Sequence, residues 1–442
     1  MPTETQRREE LTLKDCFADE SLNVMNFLNE VVLRYPQAVS FAPGRPAEEH
    51  FDVLGSLSKI DLFVTHRAAT LGWDRAAVYA DLGQYNRTNG IIPELIARQL
   101  EKDEGIRATP ESIMVTAGAQ EGMVVLLLGL FDPATDVLLA SDPTYIGITG
   151  LARILGIPVH PIPSGPEGLT AEAVEAAIRA VRRHGRVPRA VYDIPDFNNP
   201  LGTRMPLATR RALLDLVRRE GVLFFEDNPY GMFAYDGEPL PTLKAMDEHR
   251  VVVYLGSFSK TFYPGLRIGY LVLGQEVQGR DGRPSTTLAA ELSKVKSLTT
   301  VTTPPLLQAI VGGSLLEEGG SLKRLMAGKL PFYRENRDRM LESLEAHFGA
   351  DPALAAAVRW NRPHGGFFLT LTLPFDFTEE RLTACAADYG VIVCPMSFFA
   401  IEGERGGFNR EIRLSFSYVT PAEIEEGIAR LSRFVRDQVA AA

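Results

Sequence analysis

The chain predicts an α/β fold: a mostly parallel sheet flanked by helices, followed by a smaller α+β domain. Three observations carry this. From about residue 50 to 325, short apolar runs closed by Gly, Pro or acidic turns alternate with helical stretches such as Ala173 to His184 and Ala208 to Glu220. That alternation marks βαβ units. With 442 residues, 45% of them hydrophobic, the chain can bury a large core and form more than one domain. Near the C-terminus, Gly366 to Leu373 and Ile412 to Ser417 read as strands, the second half-buried, outside that alternation. The expected division is an N-terminal segment, 1–50, packing with the small domain; a large domain, 51–325; and a small α+β domain, 326–442.

Each element has a local reason. Ser21 reads as the N-cap of a helix to about Arg34, stopped before Pro36. Val39 to Pro46 is a short extended segment. Ile113 to Thr116 runs through Gly118 into a helix, and a tight turn there leaves free N–H groups to face an anion. Val137 to Ala140 is a strand ending at Pro143 and Tyr145. Ala190 to Ile194 leads to Asn198-Asn199-Pro200, where a residue before proline is held extended. Val222 to Phe225 ends in Glu226 and Asp227, and ligands in open α/β sheets sit beyond such strand ends. Glu226 reads as a solvated or outer acid. Gly312-Gly313 to Gly319-Gly320 reads as a hinge, and Leu322 to His347 as one long helical stretch.

The most informative segment is Gly256 to Tyr270, after the apolar run Val251 to Leu255. Lysine is rarely buried because desolvating an ammonium is costly. Lys260 at a strand end suits covalent engagement as a Schiff base, or nucleophilic work. Ser257 and Ser259 precede it and Arg267 follows at seven residues. Small hydroxyl donors and a planar cation are what a phosphate beside an imine needs.

These residues resemble the lysine-bearing segment of pyridoxal-phosphate enzymes with the aspartate aminotransferase fold. The spacing agrees: Asn199 lies 28 residues before Asp227, and Lys260 33 after it. The chain is most similar to the subgroup of 2-aminoadipate and kynurenine aminotransferases and the aminotransferase-like domains of MocR-type regulators. The resemblance implies pyridoxal 5'-phosphate on Lys260, with Asp227 keeping the pyridine nitrogen protonated. It implies that Asn199 and Tyr230 bond the ring oxygen and that Tyr145 stacks on the ring. The phosphate falls to the backbone at Ala119 and Gln120, to Ser257, Ser259 and Arg267, and to Tyr85 of a neighbouring subunit, in a homodimer with shared sites. Arg413, in Arg-Leu-Ser-Phe-Ser, would clamp the substrate carboxylate, with Asn199, Gly44 and Arg45 beside it. The chain departs from the pattern at Ala119, where many relatives have Ser, and at Asn86-Arg87, Arg45 and His364. Arg45 and Arg87 raise the prospect of an anionic substrate side chain.

The implied activity is transfer of an amino group from an L-amino acid to a 2-oxo acid. Decarboxylation, β/γ-elimination or oxidation on the same cofactor is the alternative. A regulator's effector domain is disfavoured, since too few residues precede residue 40 for a helix-turn-helix. A net charge of −10 argues against nucleic acid. No apolar run nears the ~20 residues of a membrane span, and no leader is visible. Cys16, Cys385 and Cys394 show no metal or redox spacing, and Cys394 reads as core. A cytoplasmic enzyme is expected.

Overall fold

The computed structural model describes residues 12–279, 284–401 and 407–441. The short strand β1 (Val39–Ser40) pairs in parallel with Val391–Ile392. Seven further strands form the central sheet: β2 (Ile113–Thr116), β3 (Asp136–Asp142), β4 (Val159–Pro163), β5 (Val187–Asp193), β6 (Leu223–Asp227), β7 (Val252–Ser257) and β8 (Gly269–Val272), in the order β2-β8-β7-β6-β5-β3-β4. Only β8 runs against its neighbours. All of β3 and nearly all of β6 and β7 is buried, as expected for parallel strands covered on both faces. The carboxyl ends of β2, β3, β5, β6 and β7 therefore lie along one edge.

A second, antiparallel sheet joins Arg359–Trp360, Phe368–Thr372, Glu411–Ser415 and Cys394–Pro395 in that order. In it Arg413 faces Thr370 on one side and Cys394 on the other. Arg413 is 5% exposed, so this strand is buried through Ser415 rather than half-buried. Cys394 is core, as expected.

Four local expectations are corrected. The first helix begins at Val24, after a 3-10 turn, with Asn23 rather than Ser21 at its N-cap position. The diglycine Gly312-Gly313 is not a hinge. It lies inside one helix, Pro305–Glu317, pressed on Val53–Leu71. A Cβ at Gly313 would fall 1.9 Å from the Lys59 carbonyl oxygen, so glycine is required by close approach of two backbones. The stretch from Leu322 is broken into Lys323–Ala327 and Leu330–Leu344. Pro331 has no N–H and disfavours helix just before it, so it restarts the helix. Finally, Glu226 is fully buried, not solvated. It accepts from the backbone N–H of Leu243 and Lys244 at 2.8 and 2.7 Å, satisfying free donors at the start of the short helix Leu243–Met246.

Candidate active site

The strand ends of the central sheet, the small sheet and the N-terminal segment enclose one cavity of about 370 Å³. It is lined by Gly44, Arg45, Ala119, Gln120, Tyr145, Asn199, Asp227, Tyr230, Ser257, Ser259, Lys260, Arg267 and Arg413. Every expected site residue is thus brought together except Tyr85, which is 80% exposed and outside this wall. Arg87 and His364 are also exposed and outside it.

Lys260 donates from Nζ to the carbonyl of Gly44 at 2.7 Å. Burial pulls its pKa down to about 8, helped by the nearby charges of Arg413 and Arg267. Nζ lies 5.9 Å from the centre of the Tyr230 ring.

Asp227, 3% exposed, ends β6. Its Oδ2 accepts from the Tyr192 hydroxyl at 2.7 Å. Its Oδ1 is buried and has no hydrogen-bond partner. Desolvation raises its pKa to about 7, against the pull of Tyr192 and Lys260. Tyr192 is not legible as a site residue in the sequence, because an aromatic inside an apolar strand reads as core.

The turn after β2 is shaped for an anion. Gly118 has φ 81° and precedes the helix Ala119–Leu130. A Cβ there would fall 2.2 Å from Arg267 Nη2, so only glycine lets the guanidinium lie on the turn. Arg267 Nη2 donates to the Ala117 carbonyl at 3.3 Å. Ser259 donates its backbone N–H to Ser257 Oγ at 3.2 Å. Tyr145 donates to Gln120 Oε1 at 3.0 Å, fixing the aromatic beside that turn.

Arg413 donates from Nη1 to Asn199 Oδ1 at 2.6 Å and from Nη2 to the Ala42 carbonyl. Its guanidinium lies 4.3 and 4.7 Å from the ring centres of Phe368 and Phe399. Its Nε is unpartnered. Arg45 is held at the rim, 3.7 Å from the Tyr418 ring centre and 3.9 Å from Glu48. The remaining wall, which the sequence did not reveal, is mainly apolar: Val24, Leu28, Val32, Ile146 and Phe399, with Asn29. An amphipathic helix gives no sign of which face closes a cavity far away in sequence.

The residues present fit pyridoxal phosphate. The orphaned, buried Asp227 Oδ1 wants an N–H donor, which a protonated pyridine supplies. The Gly118 turn, two serines and Arg267 form a donor set for a phosphate.

Residues 85–431 match the family model for aminotransferase class I and II. The chain is 42% identical over 424 residues to (S)-3,5-dihydroxyphenylglycine transaminase of Amycolatopsis orientalis, covering 96% of this chain and 94% of that one. It is 31% identical over 415 residues to 2-aminoadipate transaminase of Thermus thermophilus, covering 92% of each. The crystal structure of Pyrococcus horikoshii kynurenine aminotransferase in complex with PMP is similar with a TM-score of 0.78 at 27% identity, over 97% of this chain and 96% of that one.

Proposed function

The chain belongs to the class I and II aminotransferases, and from that premise we propose which of its residues do the work and on what kind of donor. The enzyme moves an amino group from an L-amino acid to a 2-oxo acid with pyridoxal phosphate. When bound, the cofactor supplies an electron sink for the pair released as the Cα–H bond breaks.

Lys260 would hold the cofactor through Nζ and, with that amine free, would hold the proton taken from Cα. Its lowered pKa suits a base near neutral pH. Asp227 Oδ1 would accept the ring N–H, while Tyr192 holds Oδ2. Asn199 and Tyr230 donate to the ring oxygen. Tyr145 covers the ring. Ala119, Gln120, Ser257, Ser259 and Arg267 receive the phosphate. Arg413 binds the donor's carboxylate, and Gly44, Asn199 and Arg45 border it. The observation that carries this reading is the buried, unpartnered Asp227 Oδ1 in the same cavity as Lys260.

The apolar wall supports an aromatic or large apolar donor, with Asn29 as its polar contact. Arg45 is engaged by Tyr418 and Glu48, which supports a rim role over recognition of an acidic side chain. The relatives act on both kinds: dihydroxyphenylglycine and kynurenine on one side, 2-aminoadipate on the other.

A homodimer with shared sites is the proposed assembly. Supporting it, Tyr85 is exposed together with the apolar Leu298, Val301 and Leu306, and Thr302 beside them donates to the Arg87 carbonyl at 3.3 Å. Packing of the N-terminal segment with the C-terminal domain is supported by β1 pairing with Val391–Ile392. Three free thiols suit a cytoplasmic setting. No described helix is long and apolar enough to cross a membrane.

The test is an amino-donor screen that records both keto-acid formation and oxygen uptake. Transfer to a 2-oxo acid from aromatic donors, without oxygen uptake, is expected. Preference for acidic donors that Arg45→Ala abolishes would overturn the donor reading.

A further inference from the structure

We propose that Lys296 is a built-in counter-charge: it neutralises Glu121, which ties the phosphate-receiving turn together, and so keeps that turn attractive to an anion. This rests on the reading that Ala119, Gln120 and Arg267 receive the phosphate.

Glu121 sits in the first turn of the helix Ala119–Leu130 and is 9% exposed. Its Oε2 accepts from the backbone N–H of Ala117. Arg267 meanwhile donates to the Ala117 carbonyl. Ala117 is thus gripped at both polar atoms, and the turn on either side of Gly118 is set by Glu121 and Arg267 together. A carboxylate in this place has two opposing effects. It complements the positive end of the helix, and it repels a phosphate arriving one turn away.

Lys296 removes the second effect. It projects from the helix Leu288–Thr299, is fully buried, and reaches Glu121 Oε1 and Oε2 at 2.8 and 3.1 Å. Thr300 donates its hydroxyl to Oε1 and accepts from Lys296 at 3.1 Å. Desolvation pulls the Lys296 pKa down, and Glu121 is what opposes that pull. A buried ion pair is a poor route to stability, since apolar side chains of the same volume often serve as well. Its location against the anion-receiving turn gives this one a purpose: Glu121 contributes its bonds while its charge is cancelled. Lys296 is a positioning residue, not a catalytic one.

The experiment titrates the apoprotein with pyridoxal phosphate and, separately, with inorganic phosphate, following protein fluorescence, and records thermal unfolding of each variant. Lys296→Met should weaken both ligands by about tenfold or more, the scale of an uncancelled charge in a partly screened site. Glu121→Gln keeps an acceptor for Ala117 and should bind at least as tightly as wild type. The double variant should return to within about threefold of wild type, as coupled partners do. Wild-type affinity in Lys296→Met, or a double variant as weak as Lys296→Met, overturns the proposal. Should Lys296→Met fail to fold, Glu121→Gln decides alone: weaker binding there overturns it. Arg267→Ala separates the underlying reading. If Arg267→Ala binds phosphate as wild type does, the phosphate assignment itself falls. If it binds weakly while Lys296→Met is normal, only the counter-charge falls.

Discussion

Arg413 donates to the side-chain oxygen of Asn199 at 2.6 Å, across 214 residues of sequence. The bond orients the amide: with Oδ1 turned to the guanidinium, the Asn199 NH2 is the end left to donate elsewhere. One contact thus joins the group assigned to the substrate carboxylate with the group assigned to the cofactor's ring oxygen. Arg413→Lys keeps the charge but loses the planar fork. We expect donor KM to rise by roughly 10- to 100-fold, as when a bidentate pair is lost, together with a shift in the bound cofactor's absorbance through Asn199. Unchanged KM for every donor would remove Arg413 from substrate binding.

Asp227→Asn preserves shape and removes the charge. The turnover number should fall by at least ~10²-fold, on the scale of losing one strong preorganised electrostatic contact. Tyr192→Phe should cost less, since it frees Oδ2 without touching Oδ1. Steady-state rates for the two variants check this, and equal losses would place the key oxygen at Oδ2.

The Lys260 amine, with its pKa lowered to about 8, should make cofactor loading pH-dependent. Only the neutral amine attacks an aldehyde, and below about pH 8 the amine is protonated. Apoprotein reconstitution should therefore speed up about tenfold from pH 7 to 9 and then level off, where an unshifted lysine would keep rising past pH 10. The fold disfavours the charged amine, so its penalty is present below pH 8 and fades as pH rises from 8 toward the ordinary lysine value. Lys260→Ala should abolish both the borohydride-trapped pyridoxyl adduct and turnover.

Mixing two inactive proteins tests the shared site. Lys260→Ala combined with Tyr85→Phe/Arg87→Ala should regain activity, because one site of a mixed dimer draws both intact parts. Size-exclusion and subunit-exchange controls accompany the assay. No recovery from exchanging dimers would place each site within a single chain.

Gly313→Ala tests the helix seam. Its Cβ would meet the Lys59 carbonyl, and overpacking of this kind costs about 1–3 kcal/mol or more. Thermal unfolding should show a lowered midpoint, while a hinge at this position would leave stability nearly untouched and alter turnover instead.

The strand-end residues are legible in the sequence because each couples an apolar run to a turn of distinctive chemistry. Asp227, Lys260 and Asn199 all stand at such junctions. What stays hidden depends on partners far along the chain. Lys296 looks like any lysine on a helix until Glu121, 175 residues earlier, is placed beside it. Tyr192 is chemically silent without Asp227. Gly312-Gly313 reads as flexibility locally and is a close-packed seam in the fold, and Glu226 reads as solvated although it caps the helix Leu243–Met246.

The backbone carbonyls of Phe41, Ala42, Gly44 and Arg45 accept in turn from the Ser415 N–H, Arg413, Lys260 and Ser417. Two of these four donors are the groups assigned to substrate and cofactor. On the roles proposed for Lys260 and Arg413, ligand entry would be an exchange of partners, an incoming group taking the place of the Gly44 or Ala42 carbonyl. Apparent affinity would then be a difference between two bonded states.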